Sequence, residues 1–406
     1  MPTFIPNRIG SKNMKNNNFL ESERDLSDQI TLDDLETPCL ILDAERMERN
    51  VARLRARLAK FGVTLRPHLK TAKSIEVARE VMSSPQGPAT VSTLREAEFF
   101  ASAGVTDIIY AVGIAPGKLE KIIDLRRKGC DLAVVLDTVE QAQAVASASI
   151  DAEMAIPALI EIDCDGHRSG VLPHDARLLL DIADALTRGG ELRGVLTHAG
   201  ASYDARGAEA LRVCAENERV AVVDAAAILR DAGHACPVVS IGSTPTAHYA
   251  ENLDGVTEVR AGVFVFFDLV MAGIGVCRID DIALSVLGTV IGHQHEKGWI
   301  LIDAGWMAMS RDRGTSKQEV DQGYGIVCDS TGLPYEDLIL ADANQEHGIV
   351  TVRPGSNAAL PDLKIGDRVR IHPNHACATG AQHGSYRVVR GSDNVVVNEW
   401  KRFGGW

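Results

Sequence analysis

The 406-residue chain carries 42 Lys and Arg against 55 Asp and Glu, a formal net charge of −13, so as a whole it repels nucleic acid and anionic membrane surfaces. Its 45% hydrophobic and 24% charged residues are ordinary for a globular protein with an ample core, and the length suits one large domain with a modest second one. The eight cysteines form no CxxC pair and no close cluster, which reads as small buried hydrophobes in a reducing compartment. No run approaches the length needed to cross a bilayer, and residues 1–21 lack the basic-then-apolar order of a secretory signal, so a cytoplasmic location is expected.

Residues 1–28 are polar, include Asn16-Asn17-Asn18 and show no hydrophobic period; a mobile arm or a dimer-embracing tail is expected there. Leu35 to Asp43 reads as a short buried strand. A helix follows, with Met47, Val51, Leu54 and Leu58 at helical spacing, Asp43 as N-cap and Gly62 beyond its end. Apolar runs at 63–69, 88–93, 107–112, 131–137, 157–163, 192–199, 237–241 and 256–266 then alternate with amphipathic or alanine-rich stretches long enough for crossover helices. Eight such units fit a parallel (β/α)8 barrel, with a doubly wound open sheet as the competing arrangement. After Asp268 the apolar segments become short and alternating, separated by Gly, Pro and Asp, as in an all-β domain. The expected division is an arm at 1–28, a barrel at 44–268, and a β domain made of 29–43 together with 269–406.

In parallel barrels functional groups gather at the C-terminal strand ends. The first run delivers Lys70, with His68 two residues back on the same strand face. A lysine there can occupy a partly apolar, desolvated site and offer a neutral amine for a Schiff base; a plain surface lysine is the alternative. The fifth run enters Asp163-Cys164-Asp165-Gly166-His167-Arg168, placing the fixed cation Arg168 at the mouth, and the sixth ends in Thr197 to Tyr203. The seventh ends in Gly242, Ser243 and Thr244, whose backbone N–H groups and hydroxyls suit a phosphate, unless they simply make a turn and a helix cap. A lysine and a phosphate site at one barrel mouth suggest pyridoxal phosphate.

In the β domain, His375 and Cys377 lie two apart on what reads as an extended segment, so both point to one side and can bind a borderline-soft divalent metal. Zinc suits the His and Cys donors, while substrate oxygen also suits manganese or magnesium. A buried cysteine beside a satisfied histidine is the plainer alternative, and a bound metal would need water, substrate or a third residue to complete it. Asn344 to Gly348 forms either a supporting layer around that metal or a solvated turn. Arg311 and Arg313 either meet a substrate carboxylate or belong to an exposed charged loop.

The segments RPHLKTAKS, EIDCDGHRSG, THAGASY, GSTPT, EVRAG, DAGW and PNHACATG together resemble the fold-type III pyridoxal phosphate enzymes of the D-serine dehydratase and D-threonine aldolase group. The resemblance runs from about Leu35 to the C-terminus. It implies an alanine-racemase-like barrel, a C-terminal β domain and a homodimer with active sites near the subunit interface. By motif it implies that Lys70 holds the cofactor covalently, that Gly242, Ser243 and Thr244 cradle its phosphate, that Arg168 and Tyr203 contact it, and that His375 and Cys377 bind the metal. The aldolase branch tends to carry an aspartate in place of that cysteine, so Cys377 favours dehydration. The activity implied is β-elimination from D-3-hydroxy amino acids, giving oxaloacetate and ammonia from 3-hydroxyaspartate and pyruvate and ammonia from D-serine. A retro-aldol lyase and a non-catalytic pyridoxal phosphate carrier are the rivals.

Overall fold

The computed structural model describes residues 29–406, so the arm expected at 1–28 lies outside the described residues. Strand β1 (Cys39–Asp43) runs directly into helix α1 (Ala44–Ala59), whose Met47, Val51, Leu54 and Leu58 are buried. The Asp43 carboxylate accepts the Arg46 N–H at 3.1 Å, which satisfies one of the open donors of the first turn.

The eight apolar runs all become strands: β2 (Thr64–Pro67), β3 (Ala89–Val91), β4 (Asp107–Gly113), β5 (Asp131–Leu136), β6 (Pro157–Ile162), β7 (Glu191–Thr197), β8 (Val238–Ile241) and β9 (Glu258–Ala261). Between them lie α2 (Ile75–Val81), α3 (Leu94–Ser102), α4 (Leu119–Arg127), α5 (Val139–Asp151), α6 (Ala176–Leu186), α7 (Gly207–Asp231) and α8 (Thr244–Tyr249). The strands are parallel in the order β2-β9-β8-β7-β6-β5-β4-β3. The two ends of this sheet meet in a parallel bridge between His68 and Thr90, where the Leu69 N–H donates to the Thr90 carbonyl at 2.9 Å. The arrangement is therefore an alanine-racemase-like barrel and not an open sheet.

The last run, 256–266, is longer in sequence than its strand. β9 ends at Ala261, and Val263–Val265 forms a 3-10 turn. Gly262 at that break packs so closely on the β2 end that a Cβ there would stand 3.0 Å from Thr71 Oγ1.

The second sheet comprises β10 (Leu284–Gln294), β11 (Trp299–Ile302), β12 (Gly325–Cys328), β13 (Pro334–Ala343), β14 (Gly348–Val352), β15 (Arg368–Pro373), β16 (Ser385–Val389) and β17 (Asn398–Lys401). β10, β11, β14, β13, β12 and β15 pair in a ring of antiparallel neighbours, so they close a second barrel. β1 pairs antiparallel with β10 and parallel with β16, which places the N-terminal strand in this sheet. The short helices α9 (Leu269–Gly273), α10 (Trp306–Met309) and α11 (Ala376–Gly380) connect these strands or link them to the first barrel.

Inside the parallel barrel, side chains alternate at the strand period of two. At the end of β2 the inward positions climb from Arg66 to His68, and Lys70 stands in the turn above. Arg66 is bound low in the barrel by Glu258 on β9 and Asp107 on β4, each at 2.7 Å, and Glu258 also accepts the Ser240 hydroxyl at 2.7 Å. Glu258→Ala leaves much of a buried guanidinium uncompensated and should destabilise the protein by about 3 kcal/mol. Denaturant unfolding measures this, and a loss below about 1 kcal/mol would show that the ion-pair layer is dispensable.

Candidate active site

A cavity of about 370 Å³ opens at the C-terminal end of the barrel strands. Its wall brings together Lys70, Arg168, Tyr203, Gly242, Ser243, Thr244, His375 and Cys377, which come from four barrel strand ends and from the second sheet. Lys70 follows β2 in a turn and is exposed, which departs from the expected desolvated amine. Two imidazoles stand near it. Burial and the charges of Lys70 and Arg260 hold His68 well below its usual value, and burial takes His198 down to about 4. Both rings are therefore neutral at pH 7. The His198 Nδ1–H donates to the Gly242 carbonyl at 2.8 Å, because a carbonyl can only accept, and this fixes the tautomer.

The Gly242 turn is shaped by close packing. At φ +148° a Cβ would fall 1.8 Å from the Arg260 carbonyl oxygen, so no other residue fits. Its N–H is spent on the buried Glu218 carboxylate at 3.0 Å, and the same oxygen accepts the Ala199 N–H at 3.0 Å. Gly242 thus sets the shape of the loop, and the polar groups turned to the cavity come from its neighbours. Ser243 caps α8 by accepting the Thr246 N–H at 3.2 Å and shares hydrogen bonds with Ser202 and Thr246. The Tyr203 hydroxyl lies against the Thr244 N–H; burial raises its pKa, as do Cys377 and Asp268. Arg168 pairs with Glu161 at 3.1 Å and keeps 58% of its side chain exposed, so it can still meet a ligand.

His375 and Cys377 depart from the expected extended segment. His375 is the N-cap of α11 and Cys377 lies in its first turn, because the buried Asp268 carboxylate accepts the Ala376 N–H at 3.0 Å. Both side chains nonetheless face the cavity. His375 Nδ1 bonds Asp312 Oδ2 at 2.7 Å, and the imidazole lies against the Cys377 thiol, which donates to Thr71 Oγ1 at 3.3 Å. Burial opposes both charges, yet Asp312 and Cys377 lift His375 to about 11, and His375 draws Cys377 below the usual thiol value. Among the described residues no three His, Cys, Asp or Glu side chains converge to hold a metal, so the pair supplies an incomplete, open set.

Several residues enter the site without having been singled out in the sequence. Arg260 is buried at the cavity wall with its Nε unpaired, while the rest of its guanidinium binds the Thr197 carbonyl. Its charge at the cavity wall suits a ligand with acceptor atoms. Its sequence signal was an arginine at an inward position of a barrel strand, within EVRAG. Asp312 carried no such signal. It stands between Arg311 and Arg313, and these two turn elsewhere: Arg311 lies over the Trp306 ring and Arg313 pairs with Asp321 at 2.9 Å. Asn344 to His347 is the exposed β13–β14 turn, whose carbonyls accept the Trp306 and Met307 N–H groups, and none of it lines the cavity.

Comparison with known proteins agrees with this architecture. The family model "Alanine racemase, N-terminal domain" matches residues 42–270, and "Putative serine dehydratase domain" matches 283–389. The chain is 54% identical to D-threo-3-hydroxyaspartate dehydratase from Delftia sp. over 93% of its own length and all of that protein. The solved structure of that dehydratase superposes with a TM-score of 0.90. Solved variants of it have one histidine or one cysteine replaced by alanine, the cysteine variant being in a metal-free form. D-serine dehydratase from Dictyostelium discoideum is 30% identical over 92% of this chain and 98% of its own. D-threonine aldolase from Filomicrobium marinum is 26% identical, with a TM-score of 0.77 over 92% of this chain and 96% of its own. The chain belongs to the D-serine dehydratase and D-threonine aldolase family of fold-type III enzymes.

Proposed function

We propose that the chain is a pyridoxal phosphate- and divalent-metal-dependent lyase that dehydrates D-3-hydroxy amino acids. Its substrate is D-threo-3-hydroxyaspartate, which yields oxaloacetate and ammonia, with D-serine to pyruvate and ammonia as a second reaction. The observation that carries this reading is the meeting of Lys70, the Gly242–Thr244 loop and the His375–Cys377 pair in one cavity. The 54% identity to a D-threo-3-hydroxyaspartate dehydratase supplies the substrate. The histidine and cysteine replaced in the solved variants of that relative stand two residues apart, as His375 and Cys377 do here.

When bound, pyridoxal phosphate supplies an electron sink for the charge left at Cα, and a divalent metal supplies a Lewis acid for the β-hydroxyl. Lys70 would hold the cofactor, and its amine, when free, would serve as the base for the α-proton. The neutral His68 and His198 rings add no positive charge beside that amine. Ser243 and Thr244, on the loop that Gly242 shapes, would hold the phosphate, and Arg168, Tyr203 and Arg260 would contact the cofactor. His375 and Cys377 hold the metal. Asp312 orients the imidazole through Nδ1, the usual role of a carboxylate behind a metal-binding histidine.

The same reading takes 44–268 as the cofactor barrel and 29–43 with 269–406 as the metal-bearing domain, a division supported by the pairing of β1 with β10 and β16. It includes zinc as the metal, a homodimer with active sites near the subunit interface, and a cytoplasmic location.

Incubated with D-threo-3-hydroxyaspartate, the holoenzyme should release oxaloacetate and ammonia, and chelation should stop the release. Glycine and glyoxylate as products would instead establish the retro-aldol lyase. Lys70→Ala should lose both the near-visible cofactor absorption and turnover; a variant keeping both removes Lys70 from its role. Cys377→Ala should keep the cofactor absorption while metal content and dehydration fall together, and dehydration at the wild-type rate after verified metal loss would exclude the Lewis-acid role.

A further inference from the structure

Two parts of the site depend on a residue near the end of the chain. The turn that carries Lys70 continues through Thr71, Ala72 and Lys73, and its carbonyls are held from outside the barrel. Ala72 O accepts the Tyr386 hydroxyl at 2.7 Å and Arg402 Nε at 3.0 Å, Thr71 O accepts Arg402 Nη2 at 3.5 Å, and Lys73 O accepts the Phe403 N–H at 3.0 Å. The same Arg402 guanidinium turns its Nη1 to the carbonyls of Gly380 and His383, the latter at 3.0 Å. Gly380 is the last residue of α11, the short helix that begins at His375 and carries Cys377. Tyr386 is fully buried, donates to Ala72 and accepts from Arg402 Nε at 2.8 Å.

We infer that Arg402 is a positioning residue that fixes the spacing between the Lys70 turn and the His375–Cys377 pair. The inference rests on the proposed function for the roles of those two groups. The physical basis is the planar guanidinium fork, whose five N–H donors serve two backbone segments at once in one rigid geometry. On one side it meets carbonyls one and two residues after Lys70, and on the other the C-terminal carbonyl of the helix that presents Cys377. Thr71, held at its carbonyl by Arg402, also receives the Cys377 thiol hydrogen bond on its side chain at 3.3 Å. A lysine at position 402 keeps the charge but cannot reproduce the fork. The lysine turn and the metal helix would then be free to drift apart by fractions of an ångström.

Three variants of the full chain test this. R402K should retain cofactor absorption, bind zinc about 10- to 100-fold more weakly in competition with a chelator, and lose kcat by a similar factor with a smaller change in KM. Y386F, which keeps the buried ring and removes only the hydroxyl, should move both readouts in the same direction by less. F403A serves as the control for general docking of the C-terminus, since Phe403 stacks on Phe99 at 4.0 Å and does not line the cavity. It should lower the melting temperature while zinc affinity stays at the wild-type value. Wild-type zinc affinity and kcat in R402K and Y386F would overturn the inference, as would losses that simply follow melting temperature across all three variants. If R402K fails to fold, Y386F decides. Failure of the wild-type enzyme to form oxaloacetate would instead defeat the proposed function, while the zinc affinities would still report on Arg402.

Discussion

A parallel barrel closes only if every strand pairs on both sides, and here the link that completes the ring, between β2 and β3, falls where His68 meets Thr90, two residues before Lys70. Closure therefore fixes the strand end that leads into Lys70. It also sets which side chains face inward, because the strand period of two sends Arg66 and His68 up the same interior column, with Lys70 in the turn above them. The lowest of these is locked by Glu258 and Asp107, so the column has a rigid base. Above it the surroundings change from paired charges to two neutral imidazoles and an open cavity. The opposite rim, at the ends of β7 and β8, is fixed by one buried carboxylate. Glu218 accepts the N–H groups of both Ala199 and Gly242, so two strand ends share one anchor.

The second sheet contributes chemistry that the parallel barrel lacks. Its His375–Cys377 pair reaches the barrel mouth because three carboxyl or amide groups hold the segment in place. Asp268 caps α11, Asp312 orients the imidazole, and buried Asn374 ties down the loop that carries Asp312 through the Asp312 and Gly323 carbonyls. Soft donors from one polypeptide segment thus share a cavity with a lysine from another.

Much of the architecture was legible in the sequence because it follows local periodicity. All eight barrel strands lie where apolar runs alternate with amphipathic helices, and α1 takes its expected cap and buried stripe. The second sheet was harder to read. β12, a buried four-residue GIVC run, was too short to carry a period, and β13 begins with the half-exposed Pro334-Tyr335. The His375–Cys377 segment was read as extended because period two also places both side chains on one side. The short helix arises from a cap supplied by Asp268, 108 positions away in the sequence from the N–H it accepts.

The sequence by itself determined the eight alternating strands and helices, the lysine at the end of the first strand, the glycine-hydroxyl loop at the seventh and the His–Cys pair, since each is written in residues within a few positions of one another, whereas closure of the strands into a barrel was decided by the link between His68 and Thr90. Tertiary structure alone decided what surrounds them. It chose Asp312 over the flanking arginines as the group facing the site, left Lys70 exposed, brought Arg260 to the wall, and joined Arg402 to Ala72 across 330 positions. The physical reason is that periodicity records which way a side chain points relative to its own element. The partner it meets is set by how the elements close on one another, which depends on the packing of the whole chain.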